Sequence, residues 1–404
     1  MSNNKVRLVV PMLALFVATG ALLHCHKRNP VKKDEPVITW TRAFGSNQIE
    51  QGQSVALTSD GGYLIAGYTQ NMTPGSADFC LLATDAKGDS LWSRVWGNSA
   101  EDIGMSIVAD GSGGYLLVGM TESEATGIDE IYMARIDGAG GTVWEKTLSP
   151  GERQWAMSVA KTNDSGFVLA GGLYTSDPHH RSWAYLVRIN SQGDTLWTRK
   201  YAKASAEVAT SVISVRDGGY VLAGASSNGY NRYDGYLVKT DAIGDTVWTR
   251  TFGGAEEDIV NSVTETVDGS YVAVGHTVSS GAGSKDIWVV KFSSTGELIW
   301  ERTFGEANWD HGRSVAATPD GGCIVVGTLF SNGREVYLIK LDAAGDSLWT
   351  QLHGVSGGEF GMAVALTPDG GYIVAGVTHS PEIGHNTYAD IYLIKTDAHG
   401  KVSH

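Results

Sequence analysis

Tryptophan recurs along this chain with a period close to 52 residues. It stands at positions 40, 92, 144, 197, 248, 300 and 349, spaced by 52, 52, 53, 51, 52 and 49. Two other residue types keep step. One series is Ser54, Ser106, Ser158, Ser211, Ser262, Ser314 and Ala363, and the other is Gly67, Gly119, Gly171, Gly224, Gly275, Gly327 and Gly376. Three residue types sharing one period seven times define a repeat architecture. A chain of 404 residues exceeds the roughly 250–300 at which single cores stop growing. The repeat resolves that excess by making the chain modular.

Each unit reads as four short strands. Strand a resembles Ser314–Thr318 and ends in a turn such as Asp320-Gly321-Gly322. Such turns supply the positive φ that a tight hairpin needs. Strand b resembles Tyr63–Gly67, and a Ser/Gly/Asn-rich loop of variable length follows. Strand c resembles Ile391–Lys395, and the turn Asp342–Asp346 leads to strand d, Ser347–Trp349. No stretch carries a capped apolar period of 3.6, so almost no helix is expected. Strands b and c are apolar on both faces, so both faces must be covered. A ring of stacked four-stranded sheets does this, and an open linear stack is the alternative. The fold expected is therefore all-β: a seven-bladed β-propeller of four-stranded antiparallel blades over residues 37–404. The seventh unit stops at Lys401–His404, without strand d, whereas Val37–Phe44 is a strand d with no preceding strands. Pairing the two would close the ring.

Residues 1–24 read as an export signal. Lys5 and Arg7 precede sixteen uncharged residues, Leu8–Leu23, too short for a typical membrane span. Leu22-Leu23-His24-Cys25 resembles the lipobox of bacterial lipoproteins, which would make Cys25 the lipidated residue. His24 departs from the small residue usual there. Cleavage near Ala18-Thr19-Gly20 and an uncleaved anchor are the other two readings. Residues 25–36 are charged, carry two prolines and read as a tether. The expected location is the bacterial cell envelope or the exterior. The net charge of −14, with no basic cluster, argues against nucleic acid as a partner.

The unit W-x-R-x-F-G-G…D-x-x-x-S-V…D-G-G-Y-x-x-A-G…D-x-Y-L-x-K-x-D-x-x-G-D-x-x-W resembles repeats of exported bacterial and archaeal β-propeller proteins. Asp-x-x-Gly-x-x-x-Trp, as in Asp85–Trp92, is similar to the tryptophan-docking motif of quinoprotein-type propellers. That resemblance implies a tryptophan packed against the neighbouring blade. It stops short of the redox cofactor, because no two of Cys25, Cys80 and Cys323 are adjacent and the motif lacks its Thr before Gly. No cofactor and no metal is expected, and Cys80 and Cys323 are expected as unbridged thiols in blades that do not touch.

Four residues before each repeat Ser lies Glu50, Asp102, Gln154, Glu207, Asp258, Asp310 or Glu359. These positions lie where the d–a loop enters strand a. The d–a and b–c loops share one face, while the a–b and c–d connections are trimmed to tight turns, so function belongs to the d–a/b–c face. Two roles fit the acids: structural hydrogen bonding to loop amides, or a negative mouth that gathers a cation or cationic ligand. Residues that break the repeat on that face are the sharper candidates for a ligand site: Trp309 and His311 around Asp310, Trp155, Phe360, and Trp183 near His179-His180-Arg181. Tyr230–Tyr233 and the His379–His385 loop with Glu382 add further polar and aromatic groups. Exposed aromatics beside carboxylates suit sugar or peptide binding. No G-x-S-x-G, H-E-x-x-H, P-loop or dinucleotide fingerprint occurs. The function expected is a monomeric, non-enzymatic binding or scaffold propeller for a protein or glycan. The alternative is a glycan-active hydrolase or lyase with carboxylates at the channel mouth.

Overall fold

Period-two alternation and tight Asp-Gly turns give 28 antiparallel strands, β1–β28 in chain order, in the computed structural model. It describes residues 37–403 except 47, 71–76, 150, 176–180, 203–205, 228–231, 332, 356 and 383–387. The expectations for 1–24, for 25–36 with Cys25, and for His179, His180, Tyr230, Asn231, His385 and His404 lie outside the described residues. No helix occurs among the described residues.

The first blade shows the common plan: β2 (Ile49–Leu57), β3 (Tyr63–Gln70), β4 (Ala77–Thr84) and β5 (Ser90–Trp96), paired in that order. Strand d runs past its tryptophan, because W-x-R-x-F continues the alternation; β5 alternates between exposed and half-buried residues. Five blades form separate four-stranded sheets, while the third and fourth merge through one parallel pair, Ser182–Ala206. In the seventh blade β26 (Glu359–Leu366), β27 (Tyr372–Thr378) and β28 (Asp390–Thr396) are completed by β1 (Trp40–Phe44). β1 lies antiparallel to β28, with Trp40 opposite Lys395 and Phe44 opposite Ile391. The chain is a seven-bladed propeller closed by its N-terminal strand.

The core lies between blades. Each apolar cluster takes residues from two neighbours; at the closing seam Ile65 and Leu82 of the first blade meet Ile373 and Leu393 of the seventh. Each docking tryptophan lies on a glycine in the next blade's c–d turn. At Gly88, φ is +78° and a Cβ would come within 2.8 Å of the Trp40 ring, so only glycine fits the contact. The same contact recurs from Trp92 on Gly140 to Trp349 on Gly400. Asp85 holds its turn by accepting the N–H groups of Lys87 and Asp89. Cys80 and Cys323 are free, buried thiols in the first and sixth blades, pushed up to about 12 mainly by burial.

A second contact staples the inner strands. Every strand a carries a one-residue bulge just before the repeat serine position, as between Gly52 and Ser54. Six serines use the resulting offset. Each hydroxyl, from Ser54 to Ser314, accepts a backbone N–H of the next blade at 3.1–3.4 Å, the donors running from Ile107 to Val364.

Candidate functional site

The acidic series is buried. Asp102, Glu207, Asp258, Asp310 and Glu359 are at most 1% exposed and Glu50 8%. Burying a carboxylate is costly unless donors surround it, and here they do. Asp102, Asp258, Asp310 and Glu359 each accept the N–H four residues earlier, at 2.6, 2.6, 2.7 and 3.2 Å. Each also has a second donor. Glu359 accepts the Thr378 hydroxyl, Asp258 those of Thr277 and Ser279, and Asp310 the Phe330 N–H at 2.8 Å. Glu50 accepts the Ser46 hydroxyl and Glu207 that of Ser226. Burial pushes the Asp102, Asp310 and Glu359 carboxyls above the usual carboxylate range. This is the geometry of the structural role: the acids stitch the d–a loop to the top of strand b.

A second acidic series, at the start of strand c, meets the first. A methyl group on Gly97 would strike both Asp78 and Asp102, and one on Gly305 both Asp286 and Asp310. Gly354 sits likewise between Glu335 and Glu359. The first residue of these d–a loops is thus clamped by two carboxylates from adjacent blades, and glycine leaves room for them. The signal in the sequence is the acid two residues before the strand-c aromatic, a slot that Cys80 fills in the first blade.

The repeat-breaking residues separate into two groups. Trp155 is half-buried in the third blade, and its indole lies on Gly172, where a Cβ would come within 2.3 Å. Trp183 occupies the strand-c slot that holds an acid in most blades. The other residues gather where the fifth, sixth and seventh blades meet. His276 at the end of β19 (Tyr271–Thr277) contacts His311, the first residue of β22 (His311–Ala317), with ring centroids 4.9 Å apart. Phe330, just past β23 (Cys323–Leu329), follows at 6.1 Å, then Phe360 at 6.2 Å and His379 at 5.7 Å. Burial lowers the His311 imidazole to about 3, and it lowers His276 too, so both are neutral at physiological pH. Glu257 accepts from Lys285 at 2.6 Å, and His276 lies 3.3 Å from each.

Beside this stack a groove of about 920 Å³ opens between the sixth and seventh blades. Its walls come from the d–a loops (Asn308, Trp309, Gly354, Val355, Gly357, Gly358) and the sixth blade's b–c loop (Phe330, Ser331, Gly333, Arg334), with Glu335 at the start of β24 (Glu335–Leu341). Trp309 is 56% exposed, yet its backbone is fixed. It bridges Lys285 in a parallel pair, and the Asp310 N–H donates to the Lys285 carbonyl at 2.8 Å. The Lys285 ammonium lies 5.9 Å from the indole centroid. Among the residues expected at a site, Trp309 and Phe330's neighbours His311 and Phe360 are brought together here; Asp310 lies beneath Trp309, with both carboxylate oxygens engaged. Phe330, Arg334 and Glu335 escaped the sequence reading because the b–c loops carry no period. Their one signal is Phe330 at the end of strand b, an aromatic that only Tyr174 and His379 approach among the other units.

Three or more metal-ligating side chains do not converge anywhere among the described residues.

No family model matches the chain. The regulatory protein FlaEY of Caulobacter vibrioides is 24% identical over 174 residues, which is 37% of this chain and 18% of that protein. The chain therefore spans less than a fifth of this relative. Among solved structures, the Pan2 WD40 domain of Neurospora crassa superposes with a TM-score of 0.53 at 12% identity, covering 89% of this chain and 96% of that one. A protein of unknown function from Dyadobacter fermentans gives 0.51 at 12%, covering 89% and 97%. The shared feature is the fold. Propellers of this kind carry unrelated activities, so function has to be argued from the site.

Proposed function

We propose that this protein is a non-enzymatic binding propeller that takes a saccharide in the groove between its sixth and seventh blades. The 1–24 segment would deliver it to the cell envelope or the exterior, with Cys25 as the lipid anchor. The observation that carries the binding reading is Trp309, a large aromatic left 56% exposed on a backbone held by hydrogen bonds. An indole offers a flat apolar face with a polar edge, which suits the C–H face of a pyranose. The groove's volume falls within the range of small-ligand sites. Glu335, Ser331 and Arg334 supply acceptors and donors for sugar hydroxyls.

The hydrolase or lyase alternative draws on the raised carboxyls of Asp310 and Glu359. Both are 0% exposed and hydrogen-bonded within the protein, which places them out of a substrate's reach. The test is a glycan-binding screen followed by calorimetry on the purified chain and on Trp309→Ala. Removal of this centre should weaken saccharide binding about tenfold or more, some 1.4 kcal/mol or above. Affinity unchanged by Trp309→Ala, or cleavage of the bound glycan, would overturn the reading.

A further inference from the structure

The groove holds one cation that the repeat does not use. Arg42, Arg199, Arg250 and Arg302 each stand two residues after a docking tryptophan and stack over it at 5.3–5.7 Å. Each also reaches a carboxylate of the next blade's c–d turn: Asp89, Asp245, Glu297 and Asp346, at 3.2–3.9 Å. Those arginines are employed in blade-to-blade contacts. Arg334 is not part of that series. It stands in the sixth b–c loop with its guanidinium carbon 5.4 Å from the Phe330 centroid and 5.3 Å from that of Phe360. Among the described residues no carboxylate lies within ion-pairing distance of it.

The stacking decides what Arg334 can do. A guanidinium is planar, and its five N–H donors point outward in that plane. The Phe330 and Phe360 centroids are only 6.2 Å apart, so both rings lie on one side of the cation and leave the N–H donors of its other side as the free recognition surface. That side matches a carboxylate, which accepts two parallel N–H bonds. The rings also limit the side chain's motion, so less rotamer freedom is lost on binding. The facing wall is Gly354, Val355, Gly357 and Gly358, three glycines and one exposed apolar side chain, which leaves room for a flat ring to approach. Glu335, in the same groove, repels a doubly charged phosphate more than a singly charged carboxylate, and it accepts hydrogen bonds from sugar hydroxyls. Resting on the saccharide reading above, we propose that Arg334 is the anion anchor of the groove and that the ligand is a carboxylate-bearing saccharide, an oligouronate, with one ring on Trp309.

The test is calorimetry on the full chain with a panel of galacturonate, glucuronate and mannuronate oligomers, their methyl esters, and sugar phosphates. Wild type should bind at least one oligouronate, weakening tenfold or more on esterification and as salt rises. Arg334→Gln should lose that discrimination, binding acid and ester alike. Arg334→Lys, which keeps the charge and loses the fork, should fall between the two and guards against misfolding of the glutamine variant; a thermal melt checks each. Trp309→Ala should weaken acid and ester alike. Equal binding of acid and ester by wild type and Arg334→Gln would overturn the anion anchor and leave the saccharide platform standing. Sugar phosphates binding tighter than every uronate would overturn the carboxylate assignment. No binding by any member of the panel would remove both.

Discussion

A buried carboxylate stabilises a loop only while its donors face it, so single atoms carry much of this ring. Asp258 accepts the Gly254 N–H at 2.6 Å, the Ser279 hydroxyl at 2.8 Å and the Thr277 hydroxyl, with no exposure to water. Asp258→Asn turns an amide toward those donors and leaves at least one unmet. The expected cost is about 1–3 kcal/mol, read as a lower midpoint in urea. Asp310→Asn should behave alike, because the Glu306 and Phe330 N–H groups converge on it. A pH dependence follows at the same scale. Burial raises Asp102, Asp310 and Glu359, so these groups hold their protons more tightly in the folded state. Their contribution is present below the unfolded value, about 4, and is lost as pH rises through the folded value. The a–b turn aspartates run the other way, Asp110 and Asp320 among them. Burial pushes Asp110 up, but Arg135 and the turn amides overcome it and hold it at about 2. Asp320, against Lys340 and Thr318, is likewise held at about 2. Those contributions are present above the unfolded value and are lost as pH falls through about 2. Thermal melts across pH should therefore show a maximum near the unfolded carboxylate value, about 4, with decline on both sides. A Tm that climbs steadily to neutral pH would contradict the raised values.

The innermost strand was partly legible and partly not. Its serine was visible as a period, since one residue type returned at the same place in six units. The bulge before it was not, because a bulge is a property of pairing register and any residue can fill it: Gln53, Met105, Arg313 and Met362 all do. The serine's purpose appears only with the offset, which aims each hydroxyl at a backbone N–H of the next blade. The second acidic series stood in the unit pattern as D-x-Y, but its role was hidden for a related reason, since its partners come from a neighbouring blade some 24 residues on. The groove was half legible: Trp309 breaks a pattern, whereas Arg334 lies in a loop that has none. The break in the serine series makes a prediction. Ala363 stands where a serine would accept the Val55 N–H, so the seam between the seventh and first blades lacks a bond that six other seams have. Ala363→Ser should supply it, raising stability by about 0.5–1.5 kcal/mol and lifting Tm.

The ring as a whole depends on one short strand supplied from the opposite end of the described chain. β1 supplies the fourth strand of the seventh blade, covers the free edge of β28, and sends Trp40 across to the first blade. There the indole is 5% exposed, lies on Gly88, and donates to the Ala86 carbonyl at 3.2 Å. Ser403 returns a backbone N–H to the Thr39 hydroxyl at 2.6 Å. Without residues 37–45, the seam loses a buried tryptophan, a ladder of paired backbone groups and the cover over a sheet edge. Emptying a buried tryptophan site alone costs about 3–5 kcal/mol, and an open edge invites pairing with other chains. Deletion of 37–45 should therefore lower Tm well below that of Trp40→Ala and bring concentration-dependent association, seen by light scattering. Because β1 pairs antiparallel along its whole length, a synthetic peptide of residues 37–45 should bind the truncated protein and restore much of the lost stability. The same peptide with Trp40→Ala should restore less, since it rebuilds the ladder without the docking contact on Gly88. A truncated chain that melts with the parent and stays monodisperse would mean that the seam holds without its strand, and closure by β1 would not be what stabilises the ring.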